Sequence, residues 1–215
     1  MINRVGWHFL CEDRRLQFDP CTPVEVGQKI VVEPPIKMCK RGLHASKNAL
    51  DALGYAPGPI VCRVRLSGQI IKDNDKAVAT ERTVLKMGDA TKVLYEFACW
   101  SAEQALIRER EAGREPDPRS WKAIEVRREW LNDQATDQDL IIAEIAAHAA
   151  AWCAANDAIE IAAWAAKAAV KRDAVSAAHA AATYTTRQFK ARSEQNKHLE
   201  DMLTALLYPE REETA

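Results

Sequence analysis

Residues 113–118 read Gly-Arg-Glu-Pro-Asp-Pro, and this hexapeptide divides the chain into two kinds of sequence. All eight glycines, and every proline except Pro209, lie at or before Pro118. From Arg119 to Tyr208 there is neither. Glycine and proline punctuate turns, so the upstream part reads as strands and turns and the downstream part as helix. Within the hexapeptide, Gly113 suits the residue just past a helix end, where a left-handed backbone is wanted. Asp117 before Pro118 is the N-cap and first-turn pair of the next helix. The fold class that follows is α+β. A small, mainly antiparallel sheet module spans 1–112, with a linker at 113–118. An all-α, alanine-rich helical module covers 119–208, and a disordered tail covers 209–215.

Working back from Gly113, residues 94–111 have helical spacing, with Phe97, Trp100 and Ile107 near one face. Residues 80–85 form a short last strand, and Asp73-Asn74-Asp75 turns the chain. Residues 60–66 alternate cleanly: Cys62, Val64 and Leu66 on one side, Arg63, Arg65 and Ser67 on the other. That is a half-buried strand. Gly68 interrupts it and residues 69–71 continue it. Further upstream, residues 29–33 form a strand stopped by Pro34-Pro35, which cannot donate to a central ladder. Residues 6–10, GWHFL, form another.

Between these strands lies residues 39–53, CKRGLHASKNALDAL, the best candidate for a functional corner. Gly42 permits a turn or a close backbone approach. Ser46 is placed to cap a helix whose apolar residues are Ala49, Leu50 and Leu53. A histidine just before a helix start, His44, then faces free N–H groups, where phosphates are favoured. Arg63 and Arg65, on the polar side of their strand, are further candidates for holding phosphate.

Downstream of Pro118, Thr136 and Asp139 make a capping box. Alanine supplies 21 of the 40 residues from Ala143 to Ala182, so any helices there approach closely. Ile145, Trp152 and Ile159 recur every seven residues, with His148, Ala155 and Ala162 between them, which predicts a narrow seam for helix pairing. Asp173 begins another helix, and a last one runs from Ser193 to about Leu207. The seam calls for a helical hairpin, the first module, or a second copy of the chain to cover it.

The formal net charge of −1 excludes a generic electrostatic nucleic-acid binder and a polybasic membrane surface. No apolar run is long enough to span a bilayer. The N-terminus lacks a secretory signal, so the protein is expected in the cytoplasm with its six cysteines reduced. His8-x-x-Cys11 and Cys39-x4-His44 offer four zinc-type ligands without the paired spacing of zinc motifs, and no metal is expected. Asp73, Asp75 and Glu81 are magnesium-type ligands, but Asp-Asn-Asp is first a turn signature. A Walker loop, a dinucleotide-binding glycine motif and a serine-hydrolase elbow are absent.

Several motifs together resemble an uncharacterised family of phage and prophage proteins. They are GWHFL, GLHAS with its AL-rich helix, YAPGPIVCRVRLSG, NDKAVATERTVL, FACWSAEQAL and the alanine–tryptophan-rich helical tail. The resemblance covers most of residues 6–107 and implies an accessory protein acting on a host factor in an infected or lysogenic bacterium. Anti-defence inhibition through the helical surface is one form of this. A virion or assembly role is another.

A second resemblance, to the ADP-ribosyltransferase fold in its His-aromatic-Glu branch, lies in the order of motifs. It implies NAD as cofactor. His8 matches the histidine that contacts the adenosine ribose. Gly42 to Ser46 matches the element under nicotinamide, with His44 where tyrosine is usual. Glu81 matches the late carboxylate that stabilises the departing ribosyl cation. Under this resemblance Glu81 and His44 are catalytic, and His8, Gly42, Ser46, Arg63 and Arg65 bind cofactor. The acceptor is a host protein or protein–nucleic acid complex, and the helical module is available for homo-oligomerisation.

Overall fold

In the computed structural model, residues 4–16, 19–154, 157–185 and 189–209 are described. The elements in chain order are strands β1 (Arg4–Leu10), β2 (Arg15–Leu16), β3 (Asp19–Pro23), β4 (Lys29–Val31) and β5 (Leu43–Ala45), helix α1 (Ala49–Leu53), and strands β6 (Ile60–Lys72) and β7 (Ala77–Asp89). Helices α2 (Thr91–Glu111), α3 (Pro118–Leu131), α4 (Asp137–Trp152), α5 (Asp157–Ala169), α6 (Ala174–Thr185) and α7 (Phe189–Leu207) follow. The architecture is α+β, with an antiparallel sheet. The chain divides into two compact units: residues up to Ala90 together with those from Leu199, and Thr91–His198. The tail expected at 209–215 lies, beyond Pro209, outside the described residues.

In the first unit, the alternation at 60–66 belongs to a much longer hairpin. β6 and β7 are 13 residues each and pair antiparallel, so 69–71 and 80–85 are parts of two long strands rather than short separate ones. Gly68 does not end β6. It sits in the register shift between Ser67 and Ile70 at φ +73, where a Cβ would overlap the Thr80 hydroxyl. Glycine thereby makes a bulge that bends the strand without stopping it. β1 pairs along the outer edge of β6. The far edge of β7 takes β5 against 77–79 and β4 against 81–83, end to end. Trp7 and Ser46 then exchange two backbone hydrogen bonds, of 2.8 and 2.9 Å, tying the end of β5 back to β1. The sheet therefore curls towards a small barrel, whose core includes Leu10, Leu43, Val64, Leu66 and Val84.

That bridge changes the reading of Ser46. The residue is buried and uses its backbone in the sheet, so it does not cap a helix. The N-cap of α1 is Asn48, without a side-chain cap bond. The Ala49 N–H instead donates to the Glu200 carboxylate at 3.1 Å, from the last helix of the same unit. At five residues, α1 is too short for a useful dipole, so the helix-start argument for His44 fails.

The helical unit follows its local signals closely. Gly113 has φ +76. The Asp117 side chain accepts from Arg119 N with Pro118 in the first turn, and Thr136 and Asp139 form a full capping box. Asp173 Oδ1 accepts from Ser176 N at the start of α6. α2 packs on α3, α5 and α6, and α4 on α3 and α5. The contacts use small residues such as Ala147, Ala163, Ala166 and Ala178, which let backbones come close. Arg127 is fully buried between the rings of Tyr95 and Trp130, at 4.1 and 4.8 Å. Its Nε and Nη2 donate to the carbonyls of Ala169 and Lys171 and so close the end of α5.

The sevenfold seam is broken. α4 ends at Trp152, Cys153 caps it, and Ile159 belongs to α5, where Ala162 is buried. Ala155 lies outside the described residues. A coiled-coil seam needs one continuous helix, and the chain turns between the second and third members of the repeat.

Candidate functional site

Paired residues on antiparallel strands share a face, which sorts the predicted site residues. His8 pairs with Cys62 and Arg82 with Leu66, so His8, Cys62, Leu66 and Arg82 lie on one face of the curled sheet. His44 pairs with Val78 beyond the register shift at Thr80, and its neighbours Leu43 and Ala45 are the residues that enter the core with Leu66, so the His44 side chain points off that face. Glu81 lies on the opposite face. There it accepts a hydrogen bond from Ser67 Oγ at 2.7 Å and pairs with Lys29 Nζ at 3.0 Å. Both partners, Ser67 first, hold its carboxyl below the ordinary value. Arg63 and Arg65 also face away from His8; the Arg63 guanidinium stacks over Trp7 at 4.4 Å.

The core face that carries His8 also holds Arg82, only 2% exposed. Its Nη1 donates to the His44 carbonyl at 2.9 Å, while Nε finds no acceptor. Burial pulls the guanidinium down to about 10, so it remains a cation at neutral pH. Burial, and then the Arg82 charge, push His8 well below its usual value; burial also lowers His44. Cys62 is pushed up to about 12 by burial. A neutral His8 ring and a protonated Cys62 thiol thus share one face with a buried cation.

The His44 ring is already engaged. Nε2 accepts from Cys39 N at 3.1 Å, and the Gly42 backbone bonds to the ring and partly offsets the lowering. Gly42 itself has φ +126, and a Cβ there would overlap Val78. The structure therefore puts His8 on the core face and turns both His44 and Glu81 away from it. The two imidazoles and the carboxylate that the resemblance assigns to NAD therefore do not line one face.

A hollow of about 390 Å³ opens elsewhere in the same unit. Its walls are the start of β1 from Arg4 to Gly6, the segment from Ala45 to Lys47, and the turn joining β6 to β7. Of the residues assigned to catalysis or cofactor binding only Ser46 lines it. Sequence reasoning passed over Arg4, Lys47, Lys72 and Lys76, because cations at strand ends look like ordinary solvated positions. The one available signal was the pattern Lys72-Asp73-Asn74-Asp75-Lys76, which reads first as a turn.

In the helical unit, the outer face of α4 shows Ile142, Ile145 and Trp152 exposed to 57, 65 and 81%. With Ala149 they recur every three or four residues and form one stripe. His148, a turn from both Ile145 and Trp152, leads into an aromatic row with Trp164 on α5 and Tyr184 on α6, at 5.3 and 6.3 Å.

Among the described residues no three His, Cys, Asp or Glu side chains converge as metal ligands, and no helix is long and apolar enough to cross a membrane. Cys11, Cys39, Cys62, Cys99 and Cys153 are free thiols. Residues 11–96 match a family described as a domain of unknown function, DUF7666. No curated protein and no solved structure matches the chain.

Proposed function

We propose that this is a non-catalytic binding protein that docks a macromolecular partner through the outer face of α4. The single observation carrying this reading is the stripe of Ile142, Ile145 and Trp152 in water, ending in a tryptophan four-fifths exposed. Isolated exposed apolar residues are ordinary; three large ones aligned on one helix face mark an interaction surface. Tryptophan is also the side chain most enriched among residues that dominate binding energy. The resemblance to phage accessory proteins supplies the partner class, a host protein or complex.

The competing transferase reading, with NAD and Glu81, rests on motif order. It requires a carboxylate free to meet a ribosyl cation, and Lys29 and Ser67 already occupy the one at hand.

The test uses immobilised full-length chain and the double variant Ile145→Glu/Trp152→Glu against bacterial lysate, with light scattering on both. The wild type retains one dominant lysate protein that the variant loses, at unchanged helical content and melting temperature. Equal capture by both would remove the α4 face from function. A wild-type dimer that the variant breaks would assign the stripe to self-association instead.

A further inference from the structure

We propose that the hollow between β1, the β5–α1 junction and the β6–β7 turn binds the phosphate of a phosphorylated small molecule, of mononucleotide or sugar-phosphate size. The inference is independent of the α4 face. Its floor is small and apolar: Gly6, Ala45, Leu66 and Ala77. Gly6 makes this floor possible, since a Cβ there would stand 2.7 Å from the Ser46 carbonyl that bridges to β1. Its rim carries four cations, Arg4, Lys47, Lys72 and Lys76, against two acids, Asp73 and Asp75.

The acids are occupied by neighbours. Asp73 Oδ1 accepts from Asn74 N at 2.8 Å within the turn, and Asp75 Oδ2 accepts from the Tyr55 hydroxyl. The cations are differently placed. Among the described residues, none of the four pairs with a carboxylate. Lys76 lies over the Tyr55 ring at 3.9 Å and is hydrogen-bonded to the Tyr55 and Cys39 side chains, which leaves Arg4, Lys47 and Lys72 as the cations open to a ligand. The hollow thus presents an excess of positive charge around a concave, partly apolar floor. Phosphate matches it by accepting several charge-assisted hydrogen bonds at once. The volume of about 390 Å³ suits a small ligand. A polynucleotide fits less well, because the whole chain carries a net charge of −1 and the cations ring a hollow instead of forming a track.

The experiment is an NMR titration of the isotope-labelled full chain with adenosine 5′-monophosphate, adenosine and inorganic phosphate. Chloride is matched throughout, and the titrations are repeated on Lys47→Gln/Lys72→Gln. Both lysines are exposed, so the variant keeps the fold, checked by its melting temperature. The monophosphate is expected to shift the amides of Gly6, Ser46 and Ala77. Adenosine and the double variant each give binding about tenfold weaker, the loss that one or two charged hydrogen bonds produce. Inorganic phosphate shifts the same amides more weakly. Equal binding of adenosine and its monophosphate would overturn the proposal. So would an unaffected double variant, shifts confined to other residues, no response at millimolar monophosphate, or a preference for single-stranded oligonucleotide.

Discussion

Each unit of this protein buries an arginine, and the two are held in opposite ways. In the helical unit Arg127 lies between two aromatic faces and donates to two carbonyls at the end of α5. In the sheet unit Arg82 donates to the carbonyl of His44, and its Nε, like Nη1 of Arg127, has no acceptor. Neither guanidinium pairs with a carboxylate among the described residues. A helix end presents unsatisfied carbonyls at a fixed place, so one cation replaces the water those groups would lose. A curled sheet has already spent its backbone groups on ladders. A cation inside it therefore meets neutral side chains and bears most of its desolvation cost. Arg127 is thus a fastening, whereas Arg82 is tolerated for the joint it makes between β5 and β7.

The largest expected effect separates the two directly. Arg127→Leu should lose about 3 kcal/mol, since two charged hydrogen bonds go and two carbonyls are left buried. Arg82→Met should change stability by no more than about 1 kcal/mol, because removing the cation also removes its desolvation cost. Hydrogen exchange, read separately in the two units, measures both. Equal losses at the two positions would break the comparison.

Acid gives the next effect. His8 is held well below its ordinary value by burial and by the Arg82 charge. The unfolded state therefore takes up a proton before the folded state does. Stability from the neutral ring is complete above the usual histidine value. It is lost as pH falls through the lower folded value, at up to about 1.4 kcal/mol per pH unit for one proton. His44 adds in the same direction. His8→Gln should flatten this slope, and Arg82→Met should raise the His8 titration seen by NMR. An acid slope that both variants leave untouched would detach the imidazoles from the buried cation.

The smallest effect concerns the cap supplied from far along the chain. Glu200→Ala should cost about 1 kcal/mol and speed exchange in α1, as loss of an N-cap partner does. No change there would show that Asn48 suffices.

Local chemistry was most legible where a few adjacent residues settle a backbone group. Gly113, Asp117-Pro118, the Thr136–Asp139 box and Asp173 were each readable, because a cap is decided within one turn of helix. The face pattern of Cys62, Val64 and Leu66 was readable for the same reason, since alternation is a property of neighbours. Less legible was whatever depends on distant segments. Ser46 has the chemistry of a cap but is claimed by Trp7, and α1 is capped by Glu200. The repeat of Ile145, Trp152 and Ile159 looked continuous, but the turn after Trp152 broke it and left two of its members in water. Among the site residues, His8 and His44 both lie near Arg82 but point to opposite faces. Arg82, whose charge adds to the effect of burial on both rings, sat unnoticed beside Glu81, and a strand sends adjacent side chains to opposite faces.

By itself the sequence determined the α+β class, the antiparallel hairpin's inner face and the helix caps at Gly113, Asp117, Thr136 and Asp173, because each is set by periodicity or by residues within one turn. Only the tertiary structure decided which strand closes on which, that Glu81 and His44 face away from the core that holds His8, and that four scattered cations ring one hollow. Those outcomes depend on strand register and sheet curl, and both arise from pairings between segments tens of residues apart that local pattern does not encode.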